Sequence, residues 1–156
     1  MAKRLLTPRE VKDALKKSSN ELIKFGARHY ALELEALVVK QINKMDLNVT
    51  GDMRKSVTHK VTEYMNKIVI RVGVNTKYAV YVHEGTKPHW PKRSAIERWV
   101  KLKFDPIDVR GTAYAVSRSI AKKGTKAHPF LKLVFNQEKT RAASRIAQAI
   151  KDSGYL

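Results

Sequence analysis

Val57-Thr58-His59-Lys60-Val61-Thr62, then Ile68-Val69-Ile70-Arg71-Val72-Gly73-Val74, decide the class of the fold. Val57, His59 and Val61 alternate with threonines and lysine. Ile68, Ile70, Val72 and Val74 alternate with Val69, Arg71 and Gly73. A period of two is that of a strand with one face buried. Glu63 to Asn66 offers the turn, so the spacing predicts an antiparallel hairpin over 56–74 with one aliphatic face.

Helical periodicity lies on both sides of it. Thr7-Pro8-Arg9-Glu10 is a helix start, with Thr7 as cap, Pro8 at the first helical position and Glu10 completing a capping box. No proline follows before Met45, so a helix of about 57 Å is expected, with Gly26 the one plausible break. At about 100° per residue, Ala27, Tyr30, Leu34, Val38, Gln41 and Met45 share one side, with Ile23, Leu37 and Ile42 near its edges. Phe25, Leu32, Ala36 and Val39 share the opposite side. One stripe can pack on the sheet; the second needs another cover, and a subunit interface is the expectation.

Downstream, Tyr78 to Thr86 fits a third strand or a short helix. Lys87 to Arg93 is a loop stiffened by Pro88 and Pro91. Helical spacing returns from Ser94 and from Thr112 to Lys123, and a last helix is expected from Pro129 to about Lys151. The class is therefore α+β: a small antiparallel sheet, the 56–74 hairpin at its centre, packed by a long N-terminal and a C-terminal helix. The chain divides into the helix of 1–46 and an α+β portion of 47–156, forming a single domain. Gly85-Thr86-Lys87-Pro88-His89 and Gly124-Thr125-Lys126-Ala127-His128 echo one another, and read as two similar loops.

Composition narrows the function. In 156 residues there are 32 Lys and Arg against 14 Asp and Glu, a net charge of +18, rising toward the C-terminus. So basic a chain is drawn to polyanions or acidic partners. Cysteine is absent, which excludes disulfides, thiolate metal sites and a cysteine nucleophile. No signal peptide or membrane-length apolar run is read, so a cytoplasm, or a particle assembled there, is expected. Phosphate-binding and hydrolase motifs are missing from the sequence. His83-Glu84 and His89 have the wrong spacing for ligands on one helical face, with Pro88 between them. His29 and His59 read as structural, and Asp105 and Asp108 as turn or capping residues. An enzyme is not expected, nor a cofactor or metal. Lys87, Lys92, Arg93, Arg98, Lys101 and Lys103 crowd one region with Trp90 and Trp99, and Lys122, Lys123 and Lys126 form a second cluster. Basic residues interleaved with aromatics suit phosphate contact without sequence reading.

Several fragments in order carry a resemblance: Thr50-Gly51-x-Met53-Arg54-x-Ser56, Val72-Gly73, Tyr78-Ala79-x-Tyr81-Val82-x-Glu84-Gly85-Thr86, and His128-Pro129-Phe130-Leu131. Over roughly residues 45–140 the chain resembles the minor tail component, or neck (head–tail joining, tail-completion) protein, of long-tailed double-stranded DNA bacteriophages. Members commonly place glutamate directly after the Tyr-Val pair; here His83 stands there and Glu84 follows. A stretch like 87–127, with its Trp-bearing helix, occurs in only part of the family. The resemblance implies a structural virion protein that forms a ring joining tail to head around the DNA path, sixfold or alternatively twelvefold. Its partners would be other neck, connector and tail proteins, with non-specific contact to genomic DNA and no membrane. Phe25, Leu32, Ala36, Val39 and Trp90 are then the expected interface residues, and Lys87, Lys92, Lys122, Lys123 and Lys126 the expected DNA-facing ones. The alternative reading is a non-specific nucleic-acid-binding protein.

Overall fold

The structure is a computed structural model. It describes residues 8–154 except Asn48 and Asn66, with side chains described from residue 19 onward. The Thr7–Glu10 capping box lies outside these described residues.

The hairpin forms as the alternation requires. Strand β1 (Val57–Tyr64) pairs antiparallel with β2 (Lys67–Val74), Val57 opposite Val74 and Tyr64 opposite Lys67. The first strand thus runs two residues, Glu63 and Tyr64, into the expected turn. Among the described residues these two strands are the whole sheet, and the other regular elements are helices. Helix α1 (Pro8–Lys44) spans 37 residues. It is followed by α2 (Asp52–Lys55), α3 (Ala79–Glu84), α4 (Arg93–Phe104), α5 (Val109–Lys123), α6 (Phe130–Glu138) and α7 (Ala142–Asp152). The chain is α+β, with the long first helix packed between the hairpin and α7.

The hairpin lies lengthwise on α1. Near its tip Glu63 reaches Lys24 (3.0 Å), and midway His59 Nδ1 meets Glu35 Oε2 (2.5 Å). At its base Val57 joins Val38, Ile42, Met53, Phe130 and Val134 in the core. Of these, Ile42, Met53 and Phe130 are sealed from solvent. Burying such side chains contributes about 1.5–3 kcal/mol each. Helix α1 ends in a Schellman arrangement. Leu47 N–H donates to the Ile42 carbonyl and Asp46 N–H to that of Asn43, with Asp46 in the left-handed region (φ 52°) where glycine is usual.

Gly26 does not break α1. It is buried where α7 crosses: a β-carbon there would meet the Ile146 carbonyl oxygen at 2.8 Å and the Ile146 and Ile150 side chains at 2.9 Å. The glycine is a close-approach position, and tertiary packing overrides its poor helix propensity. The expected single helix of 129–151 is two helices. The chain turns at Lys139–Arg141, where the Glu138 carbonyl accepts from Arg141 N–H (2.9 Å) and, at 3.3 Å, from the Tyr30 hydroxyl. The turn redirects α7 so that its apolar side reaches Gly26. Glu138 itself is buried, with Arg141 and Arg145 at 3.6 and 3.9 Å. Burial first, and the Glu138 charge second, raise the Tyr30 pKa. Gly73, by contrast, faces open space, with nothing within 4 Å of where a β-carbon would stand.

Candidate functional site

Residues 86–125 leave the body and return to it, and the two echoing Gly-Thr-Lys loops are where they do so. Gly85 ends α3 with φ 74°, ψ −177°, and Gly124 ends α5 with φ 72°, ψ −161°. That backbone region is essentially confined to glycine. Each threonine that follows pairs with the other: Thr86 N–H donates to the Thr125 carbonyl and Thr125 N–H to the Thr86 carbonyl, both at 3.1 Å. Their hydroxyls meet at 3.0 Å. A β-carbon on Gly85 would lie 2.5 Å from the Thr125 carbonyl oxygen, and one on Gly124 1.9 Å from that of Thr86. The sequence echo is thus a twofold-like clasp, in which two similar loops face each other rather than repeat.

Beyond the clasp, α4 and α5 pack chiefly on each other. Val100 of α4 and the small Ala113 and Ser117 of α5 are buried. Asp108 caps α5, its carboxylate accepting from Gly111 N–H at 2.9 Å; Asp105 ends α4 at φ 43°. Both carboxylates therefore serve the turn between the helices. Lys103 pairs with Asp46, tying α4 to the end of α1.

Between this helix pair and the body lies a half-open cleft of about 1160 Å³. Its apolar lining comes from the α1–α2 turn (Met45, Leu47), α3 (Tyr81, Val82), the Pro88–Pro91 loop with α4 (Trp90, Ile96, Trp99) and α5 (Val116, Ile120). Lys87, Lys92, Lys103 and Lys126 also border it. Trp90 is 63% exposed and tilts over Tyr114 with centroids 6.4 Å apart. Trp99 meets Phe104 edge-on at 5.3 Å.

The structure therefore joins some expected site residues and separates others. Trp90, Lys87, Lys92 and Lys126 come together at the cleft, whereas Lys122 and Lys123 stand exposed at the end of α5 and do not line it. On α1, Leu32 (55% exposed) and Ala36 face outward. The ends of that stripe are partly covered: Val39 packs against the core cluster, and Phe25, tilted against His29 with ring centroids 4.7 Å apart, lies beside α7. Tyr81, Ile96 and Trp99 as cleft residues went unread in the sequence. The repeated Gly-Thr-Lys was the signal that could have found them, since it marks where the excursion closes.

Histidines are dispersed: His59 is held by Glu35, His83 sits edge-on to Phe130 at 5.1 Å, and exposed His89 contacts the Lys87 carbonyl. Among the described residues no group of three or more His, Asp or Glu is placed to hold a metal ion. None of the described helices is long and apolar enough to cross a membrane. No family model, curated protein or solved structure matches the chain.

Proposed function

We propose that this chain is a structural subunit of the neck or tail end of a long-tailed bacteriophage, forming a ring around the path of the DNA. The observation that carries the reading is the contrast between scaffold and surface. The fragments that resemble the family are framework: Gly51 (φ 85°) and Gly85 turn the chain, and Met53 and Phe130 fill the core. Meanwhile Leu32, Trp90, Phe104, Ile107, Tyr114 and Phe135 are each more than half exposed. Large apolar side chains left outward on so basic a chain are the mark of a part that finishes folding its surface against neighbours.

The charge has a role in the same reading. Six copies of a +18 chain repel one another unless counter-charge is present. Duplex DNA supplies one negative charge per ~1.7 Å of its axis. Lys122 and Lys123, exposed at the C-terminal end of α5, are the residues we assign to the lumen. Their contact is to phosphate and indifferent to sequence, because the genome must slide past. Lys87, Lys92 and Lys126 face the cleft instead.

Native mass measurement and electron microscopy of the purified chain, with and without duplex DNA, test the proposal. Closed rings are the expected result, with Leu32→Asp reducing them to folded monomers. A chain that stays monomeric and binds duplex with a steep salt dependence would replace this reading by that of a non-specific nucleic-acid-binding protein.

A further inference from the structure

Among the apolar surfaces that the described residues leave open, one on the body and one beside the excursion differ in shape and charge. The cleft is concave and bordered by lysines. The outer stripe of α1 around Leu32 and Ala36 is convex and helical. Residues 29–39 are the longest run in the chain without a Lys or Arg, in a sequence where one residue in five is basic, and they carry Glu33 and Glu35. Glu35 is engaged by His59, which leaves exposed Glu33 beside Leu32 to meet a partner.

Resting on the ring reading above, we infer that the outer face of α1 in one copy docks into the cleft of the next, Leu32 between Trp90 and Trp99 and Glu33 toward Lys87 or Lys126. An apolar helix face laid in an apolar groove is a common recognition mode, with the central aromatic residues as its anchors. The contact joins two different surfaces, so it is heterologous: each copy offers a stripe to one neighbour and a cleft to the other. Contacts of that kind close into rings when the rotation allows. A small molecule is a poorer occupant, since the volume exceeds the ~300–1,000 Å³ of such sites. A nucleic acid could stack on Trp90, Trp99 or Tyr81, but Leu47, Val82, Ile96, Val116 and Ile120 line the same cleft, and such aliphatic surface suits the apolar face of a helix better than a base.

The test uses the full-length chain and its only two tryptophans, both of which line the cleft. Assembly should blue-shift the tryptophan emission as concentration rises. Leu32→Asp removes the stripe and Trp90→Ala removes the anchor; each alone should be a folded monomer by circular dichroism and light scattering. Mixed in equal amounts, the two should form a dimer and nothing larger, because one intact cleft meets one intact stripe. Glu33→Lys should weaken assembly about tenfold, and Lys87→Glu with Lys126→Glu in the same chain should restore it. If assembly survives both Leu32→Asp and Trp90→Ala, or if the mixture stays monomeric, the docking is wrong while the ring reading stands. If the unaltered chain never assembles, the ring reading fails with it. A blue shift produced by single-stranded DNA in place of a second copy would overturn the docking in favour of a nucleic-acid groove.

Discussion

The body and the excursion of residues 86–125 are both built largely from helices, yet they bury their apolar residues differently. In the body α1 is covered on one side by the hairpin and on another by α7, and Ala27, Tyr30, Ala31, Val38 and Ile42 are all buried. In the excursion α4 and α5 have essentially only each other. Val100, Ala113 and Ser117 supply a thin seam, while Trp90, Leu102, Phe104, Ile107 and Tyr114 remain more than half exposed. A two-helix unit cannot bury its own apolar surface. The difference teaches that the body is held by its core, whereas the excursion is held by a clasp and by what it meets.

The sharpest way to break this contrast is to empty the body's core. Phe130 is sealed beneath α1 and the base of the hairpin. Phe130→Ala should cost about 3–5 kcal/mol, read as a lowered midpoint in urea unfolding followed by far-ultraviolet circular dichroism. A loss no larger than that of an exposed residue would mean that the core lies elsewhere.

Gly26→Ala is a test in which two effects oppose each other. Helix propensity alone favours alanine by about 1 kcal/mol. The crossing of α7 disfavours it, with the Ile146 carbonyl oxygen 2.8 Å from the new β-carbon, an overpacking worth about 1–3 kcal/mol. We expect a net loss, because backbone oxygen cannot yield as a side-chain tip does. A stabilised variant would show that α7 shifts freely on α1.

Much of the body was legible in the sequence, and the reasons are local. The hairpin declared itself because its alternation is regular over both strands. The inner stripe of α1 did so because Ala27, Tyr30, Leu34 and Val38 keep a helical period over several turns. Gly26 was misread because a glycine looks the same whether it breaks a helix or admits a neighbour; only the approach of Ile146 and Ile150 decides. The break after Glu138 was hidden because no glycine or proline marks it, and tertiary contacts of Glu138 with Tyr30 select it. The cleft was half legible. Trp90 and the lysines stand out as residue types, but Tyr81, Trp99 and Ile120 belong to three separate elements that only the folded chain assembles.

Tyr30 offers a smaller effect with a pH signature. Its hydroxyl donates to the Glu138 carbonyl at 3.3 Å, a long bond worth about 0.5–1 kcal/mol. Burial, and then the Glu138 charge, raise its pKa above the ordinary value of 10.0. The folded state therefore holds this proton more tightly than the unfolded one. The contribution is fully present below about pH 10 and is lost as pH rises through the folded value. Tyr30→Phe should lower the neutral-pH midpoint slightly and flatten the alkaline fall in stability. An unchanged alkaline slope would mean that Tyr30 ionises as freely in the folded chain as in the unfolded one.

Gly124→Ala should change global unfolding least and the excursion most. The substitution meets two independent obstacles. The backbone there (φ 72°, ψ −161°) is one that a residue with a β-carbon avoids, at a cost of about 1–3 kcal/mol. The new atom would also fall 1.9 Å from the Thr86 carbonyl oxygen, too close for any rotamer to relieve. The loop must therefore move, and the reciprocal Thr86–Thr125 bonds open. The body loses little, because α1, the hairpin, α6 and α7 make no use of the clasp for their own packing. Hydrogen exchange should accordingly accelerate at Thr86, Thr125 and along α4 and α5, while protection on α1 and the hairpin is kept. The tryptophan emission should shift with it, since the cleft wall is released. If exchange rises equally in body and excursion, the two are one cooperative unit, and the distinction between a core-held body and a clasp-held excursion fails.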